Sequence, residues 1–156
     1  MNDANESKYD ALKLENQLCF PLYACARIAI KLYKPFLDKL DLTYTQYITM
    51  MVLWERRSLT AKELGDTLFL DSGTLTPLLK KMEAKGLLTR KRSTEDERSL
   101  IITVTEAGMA LRDPAMTVPE EMKALVPIPP EETMALYRIL YRMLDREDQI
   151  SAAYRE

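Results

Sequence analysis

The stretch from Leu68 to Thr105 constrains this chain more than any other. Asp71-Ser72-Gly73-Thr74-Leu75-Thr76-Pro77-Leu78-Leu79-Lys80-Lys81-Met82-Glu83-Ala84-Lys85-Gly86 has apolar residues at helical spacing, an Asp or Ser to cap its start and a Gly to end it. Leu87 to Arg92, a polar tip from Ser93 to Glu97, Arg98, and the β-branched return Ser99 to Thr105 then read as a hairpin. A short helix with small hydroxyl groups on its outer face, followed by a basic hairpin, predicts a winged helix-turn-helix with double-stranded DNA as partner. The charge supports this. Lys80 to Arg98 holds seven basic against four acidic residues, a local +3, so the remainder of a chain of net charge −2 carries −5. Such a distribution steers one face toward phosphate.

The flanking sequence predicts more helices. Thr43-Tyr44-Thr45-Gln46 and Thr60-Ala61-Lys62-Glu63 are capping boxes. The first opens a helix to about Glu55 with Tyr47, Ile48, Met51, Val52 and Trp54 as its apolar set; the second opens a short helix to Leu68. Leu14 to Leu40 reads as helix with a break or start near Cys19, because Pro21 fits a first turn, and a kink or boundary near Lys34, before Pro35. Thr105-Glu106-Ala107-Gly108 opens a helix interrupted by Pro114 and Pro119. Pro127-Ile128-Pro129-Pro130 is a connector, and Glu131 to about Asp148 is the last helix, its stripe formed by Leu136, Ile139, Leu140, Met143 and Leu144.

The fold expected is therefore mainly α with a small β-hairpin wing. One domain spans 1–156, with a DNA-binding region over about 43–105, a wing over 87–105, and dimerisation helices over about 10–42 and 106–156. The outer stripes exceed what a small winged-helix core needs. Packing within one chain would cover them, but a homodimer is favoured, because two recognition helices roughly 34 Å apart read a pseudo-palindromic operator.

Within the DNA-binding region, Ser72, Thr74 and Thr76 are candidates for base edges or phosphates, with helix capping as the alternative for each. Lys80, Lys81 and Lys85 are candidates for phosphate. At the wing tip, Asp96 can hold the turn while Arg98 reaches a narrow minor groove; the alternative is a surface ion pair worth about 0–1 kcal/mol.

Two cysteines and no histidine exclude histidine-based triads and make a zinc site or structural disulfide unexpected. The four glycines, at 65, 73, 86 and 108, lack phosphate-loop spacing. No cofactor or metal is expected. With no apolar run near the ~20 residues of a membrane helix and a polar Met1–Tyr9, a soluble cytoplasmic protein is expected.

Glu95-Asp96-Glu97-Arg98 followed by Val104-Thr105-Glu106-Ala107-Gly108 resembles the wing signature of the MarR family of transcriptional regulators. Leu14-Glu15-Asn16-Gln17-Leu18-Cys19-Phe20, Tyr23, Tyr33-Lys34-Pro35, Thr43-Tyr44 and Leu70 to Pro77 resemble the OhrR branch, the organic hydroperoxide-sensing repressors. That resemblance implies a homodimeric repressor, not an enzyme, that leaves its operator when Cys19 is oxidised. It implies that Tyr33 and Tyr44 reach the sulfur across the dimer interface, and that Tyr23 stands near it. Organic hydroperoxide and a low-molecular-weight thiol are then the effectors. The local sequence agrees: a helix beginning near Pro21 would favour the Cys19 thiolate, and Leu18, Phe20 and Leu22 suit an organic peroxide. Cys25, six residues on and about 9 Å along a helix from Cys19, lies beyond the roughly 7 Å Cα limit of a disulfide, so packing is its default role. In the two-cysteine members of the branch the resolving cysteine lies near the C-terminus; here the one-cysteine mode is expected, with a small thiol capping Cys19. The alternatives are a regulator answering to a small-molecule ligand or another oxidant, with Cys19 an apolar filler, and a thiol peroxidase.

Overall fold

Both predicted capping boxes form and fix the starts of the two central helices. In the computed structural model, which describes residues 7–94, 96, 98–125 and 128–145, the Thr43 side chain accepts from the Gln46 N–H (3.3 Å) and the Gln46 side chain accepts from the Thr43 N–H (3.0 Å). Thr60 and Glu63 repeat the exchange at 3.1 and 2.8 Å. Each box satisfies two N–H groups that a helix start would otherwise leave open.

The chain divides into two compact units between Met122 and Lys123. In the first, 3-10 turns at Ser7–Leu12 and Leu14–Asn16 precede α1, Cys19–Leu37. Then come α2 (Tyr44–Arg56), β1 (Ser58–Thr60), α3 (Ala61–Leu68), α4 (Ser72–Ala84), β2 (Leu88–Arg92) and β3 (Leu100–Val104). Three short helices follow, α5 (Glu106–Ala110), α6 (Arg112–Ala115) and α7 (Val118–Leu125), the last running past the Met122 boundary. The second unit carries α8, Pro130–Leu144.

The break near Cys19 is as expected, with Pro21 in the first turn of α1. Pro35 does not mark a boundary. The helix runs through it to Leu37, since the carbonyl it leaves without a donor belongs to exposed Lys31 and can be solvated. On α2 the buried face is Gln46, Tyr47, Thr49, Met50, Leu53 and Trp54, whereas Met51 is 47% exposed. The stripe thus follows 47-50-54, rotated from the expected set. The helix opened at Thr105 is interrupted as expected: it breaks at Leu111 and again at Met116 and Thr117, and Pro114 and Pro119 lie in the first turns of the helices that follow, α6 and α7, where no N–H is needed.

The wing hairpin forms with Arg90 opposite Ile102 and Arg92 opposite Leu100. The sheet has a third strand absent from the expectation. β1 pairs antiparallel with β3, Leu59 opposite Ile102, giving the order β1-β3-β2. Leu37, Met50, Leu53, Leu64, Leu79, Met82, Leu88 and Ile102 are the fully buried centre, so helices α1 to α4 and the sheet share one core.

The Val104–Gly108 motif has a packing explanation. The Thr105 hydroxyl accepts from the Gly108 N–H (3.0 Å) and donates to the Gly86 carbonyl (2.6 Å). The Trp54 indole donates to the Gly108 carbonyl at 2.9 Å in the interior. A Cβ at 108 would stand 2.1 Å from the Leu87 carbonyl oxygen, so only glycine fits.

In the second unit α8 buries no residue, and Met134, Leu136, Tyr137, Ile139, Tyr141, Met143 and Leu144 are exposed. Its helix ends at Leu144; the expected extension over 146–148, like Val126 and Pro127 of the connector region, lies outside the described residues.

Candidate DNA interface and thiol sensor

On α4 the cap is Asp71, whose carboxylate accepts the Thr74 N–H at 2.9 Å and the Thr74 hydroxyl at 3.0 Å. These bonds hold the Asp71 carboxyl below its ordinary range. Ser72 is therefore not the cap. Leu75, Leu78, Leu79 and Met82 anchor the helix in the core, while Ser72, Thr74, Thr76, Lys80 and Lys81 are exposed. Thr74 spends its proton on Asp71, which leaves its oxygen to accept. Pro77, inside the helix, has no N–H for the Gly73 carbonyl, so that acceptor too stays available near the exposed end.

At the other end Gly86 (φ 74°) closes α4. Its N–H donates to the Glu83 carbonyl and that of Leu87 to the Met82 carbonyl, the paired bonds of a Schellman ending. Lys85, expected at phosphate, instead bridges the Asp41 carboxylate (3.0 Å) and donates to the Asp41 carbonyl. It ties the recognition helix to the turn that follows α1.

The wing is fastened to the recognition helix by a contact that no sequence spacing signals. Glu83 of α4 accepts from Arg90 of β2 three times: from the backbone N–H (3.0 Å), Nε (3.0 Å) and Nη2 (2.7 Å). The guanidinium is the first cause of the lowered Glu83 carboxyl pKa. A planar fork on a carboxylate fixes angle as well as distance.

At the tip, Asp96 accepts from the Ser99 hydroxyl (2.8 Å) and the Arg98 N–H (3.0 Å), and both lower its pKa. Asp96 thus holds the turn through these bonds; among the described residues no ion pair joins it to the Arg98 guanidinium. Glu95 and Glu97 of the tip motif lie outside the described residues.

The thiol region divides into two groups. Cys19 is the first residue of α1 and is exposed, as is Cys25. Neither is an apolar filler within the single chain. Tyr23 stands one turn after Cys19, its hydroxyl accepting from Arg27 Nη1 at 2.9 Å. Tyr33 and Tyr44 come together at the other end of α1, ring centroids 4.9 Å apart, with Tyr47 at 6.0 Å from Tyr33. Burial first, then the neighbouring tyrosine, raises the Tyr33 phenol. Fourteen residues separate Cys19 from Tyr33, about 21 Å along the helix axis. One chain therefore cannot bring Tyr33 onto its own Cys19. Beside Tyr44 lies a groove of about 260 Å³ between α1 and α2, lined by Ile30, Lys31, Lys34, Leu37, Leu42 and Tyr44.

Among the described residues no three His, Cys, Asp or Glu are grouped to hold a metal, and no helix is long and apolar enough to cross a membrane.

Residues 31–114 match the family model described as transcriptional regulator SarA/Rot. The chain is 51% identical over 140 residues to the organic hydroperoxide resistance transcriptional regulator of Bacillus subtilis, covering 90% of this chain and 95% of that protein. It is also similar to AbfR, a structure of which comes from Staphylococcus epidermidis. Reduced AbfR bound to DNA superposes with a TM-score of 0.72 at 34% identity, covering 90% of this chain and 98% of AbfR. The overoxidised, DNA-bound form gives 0.71 at 34% identity over 89% and 98%, and the disulfide form 0.60 at 33% over 90% and 98%. By fold and by sequence, the chain belongs to the MarR- and SarA/Rot-type winged-helix transcriptional regulators, a family of DNA-binding proteins rather than enzymes, in the organic hydroperoxide resistance branch.

Proposed function

We propose that this protein is a homodimeric repressor, working in the cytoplasm, that leaves a pseudo-palindromic operator when an organic hydroperoxide oxidises Cys19. The observation that carries the reading is an exposed cysteine on the first turn of a 19-residue helix, in a chain half identical to a hydroperoxide resistance regulator. A helix N-terminus favours thiolate over thiol, and the thiolate is the nucleophile.

Dimerisation is supported by uncovered apolar surface. Leu18, Phe20, Tyr23, Ile28 and Ile30 on and beside α1, and the stripe of α8, are exposed. Apolar surface on this scale marks an interface. A second copy would also bring a partner's Tyr33 and Tyr44 to Cys19, which the span of about 21 Å denies to one chain.

In the chemistry, Cys19 Sγ attacks the terminal oxygen of R–O–O–H. An S–O bond forms, the O–O bond breaks, the sulfur gives up two electrons, and the departing alkoxide takes a proton from water. A small thiol then attacks the sulfenic acid; an S–S bond forms and water leaves. We take this second step as the one that releases DNA. AbfR has a DNA-bound structure in its overoxidised form, whereas its disulfide form is the less similar to this chain. A mixed disulfide inserts a whole side chain where overoxidation adds only oxygens.

On DNA, the exposed hydroxyls of Ser72 and Thr76 would meet base edges or phosphates, the Thr74 oxygen would accept from a base-edge donor, and Lys80 and Lys81 would meet phosphates. Asp96 would shape the wing turn and Arg98 would enter the minor groove. A second reading rests on the groove beside Tyr44, which would take a small ligand with Cys19 structural. Cys19→Ser separates the two. The sensor reading expects the variant to bind operator and ignore hydroperoxide. Release of the variant by hydroperoxide would overturn it.

A further inference from the structure

Gly73 and Pro77 break the rules of a helix, and they do so on one line of its surface. They are the residue types least suited to a helix interior. In α4 they stand one turn apart, at the second and sixth positions of a 13-residue helix. Proline fits a first turn, and the sixth position lies beyond it. At about 100° per residue, Gly73, Pro77, Lys80 and Ala84 form the line opposite the buried Leu75, Leu78, Leu79 and Met82, and all four are exposed. No turn demands the glycine, because Gly86 alone among the glycines has a positive φ. A Cβ added at 73 would meet Asp71 Oδ1 at 3.0 Å and otherwise open space.

The two residues act on one carbonyl. Helix carbonyls point toward the C-terminal end, so that of Gly73 aims at residue 77, where proline has no N–H to give it. Gly73 adds no side chain to shield the backbone beside it. On its outermost line α4 thus presents a bare acceptor next to an apolar ring. Water satisfies that acceptor in the free protein; in a groove that excludes water it needs a donor. We propose that these groups read one adenine–thymine pair in the major groove, the adenine N6 amino group donating to the Gly73 carbonyl and the thymine methyl group lying on the Pro77 ring. The inference rests on the reading that α4 enters the major groove. The N-terminal residues of a recognition helix are the ones that meet base edges. Guanine offers only acceptors there, which a lone acceptor rejects. Cytosine offers an amino group but no methyl, so the ring selects adenine–thymine. Gly73 and Pro77 are then specificity-determining residues, although neither carries a polar side chain.

The test uses full-length reduced protein and a duplex that wild type selects from a randomised library. Affinity is read by fluorescence anisotropy for wild type, Pro77→Ala and Pro77→Val. Each adenine of one half-site is replaced in turn by purine, which lacks the amino group, and each thymine by uracil, which lacks the methyl. In wild type, one adenine loses about tenfold in affinity without its amino group, and its partner thymine about threefold without its methyl. Both variants restore the N–H that closes the Gly73 carbonyl, so in both the purine effect at that adenine shrinks to within about twofold. Valine keeps an apolar face, so Pro77→Val still responds to uracil. Each variant removes a proline from a helix interior, and affinity for a scrambled duplex equal to that of wild type confirms an intact fold. A purine effect of the same size in wild type and both variants would overturn the proposal, as would a partner thymine indifferent to loss of its methyl. Selective binding by wild type with no adenine responding to loss of its amino group defeats this inference alone. Wild type that binds selected and scrambled duplexes equally defeats the reading of α4 as the groove-facing helix together with this inference.

Discussion

Replacing Trp54 by Phe tests the joint between the DNA-binding region and the helices that follow the wing. The Trp54 indole N–H donates to the Gly108 carbonyl at 2.9 Å, and the ring is 8% exposed. Phe keeps an aromatic edge against Tyr47, 6.2 Å away, but removes the donor. A buried carbonyl left without its partner costs about 1–3 kcal/mol. A central value of about 2 kcal/mol lowers the melting temperature by about 4–8 °C for a chain of this length. Gly108→Ala attacks the same joint from the other side. Its Cβ would lie 2.1 Å from the Leu87 carbonyl oxygen and 2.8 Å from Val104 Cγ2, so α5 must move away and the indole bond must stretch. The two losses overlap, and the double variant should fall short of additivity by about 1 kcal/mol. Trp54 is the only tryptophan, so unfolding is followed by far-UV circular dichroism rather than fluorescence, at matched protein concentration because a dimer melts concentration-dependently. Trp54→Phe within about 0.5 kcal/mol of wild type, or strict additivity with Gly108→Ala, would show that the indole bond does not hold this joint.

Leu79→Ala, at a fully buried position of the recognition helix, should cost about 2–5 kcal/mol in chemical denaturation. Arg98→Ala and Lys80→Ala should each lower the slope of log affinity against log salt by about 0.9 for each phosphate the side chain neutralises, whereas Glu83→Gln, which touches the wing rather than DNA, should weaken operator binding and leave the slope unchanged. The pH dependence of stability follows from the acids. Glu63, Asp71, Glu83 and Asp96 are all held below their ordinary carboxylate values, so each stabilises the fold above the unfolded pKa, near 4, and loses that contribution as pH falls through the folded value. With no histidine in the chain, the melting temperature should be nearly flat from about pH 6 to 8 and fall below about pH 4; a step near pH 6.5 would count against this. Leu136→Glu with Ile139→Glu on the exposed α8 stripe should shift sedimentation from dimer toward monomer.

Local chemistry was legible in the sequence and distant geometry was not. Thr43 with Gln46 and Thr60 with Glu63 act across three residues, so spacing alone places those helix starts. Gly86 announced the end of the recognition helix for the same reason. Three residues at Ser58–Thr60 carry no period, so β1 was invisible until β3 lay beside it. The rotation of the α2 stripe from Met51 to Met50 and Leu53 was set by its neighbours, which periodicity alone does not supply. Glu83 and Arg90 meet across a helix end and a turn, and no helix or strand spacing predicts that encounter. Cys19 was singled out by resemblance; the residues alone would have made it a filler, a reading its exposure removes for the single chain. Tyr33 and Tyr44, each expected at the sulfur, pack against each other in one chain. Their meeting with Cys19 needs a second copy and is part of the proposal.

Whether capping of Cys19 is what frees the DNA can be measured directly. Operator-bound protein should be followed by fluorescence anisotropy while parallel samples are weighed by intact mass spectrometry, after hydroperoxide alone, hydroperoxide with a small thiol, and that mixture followed by a reductant. The released fraction should track the mixed-disulfide mass, reductant should restore binding, and Cys19→Ser should stay bound in every arm. Release without modification of Cys19, or tight binding by protein fully capped at Cys19, would contradict the proposed switch.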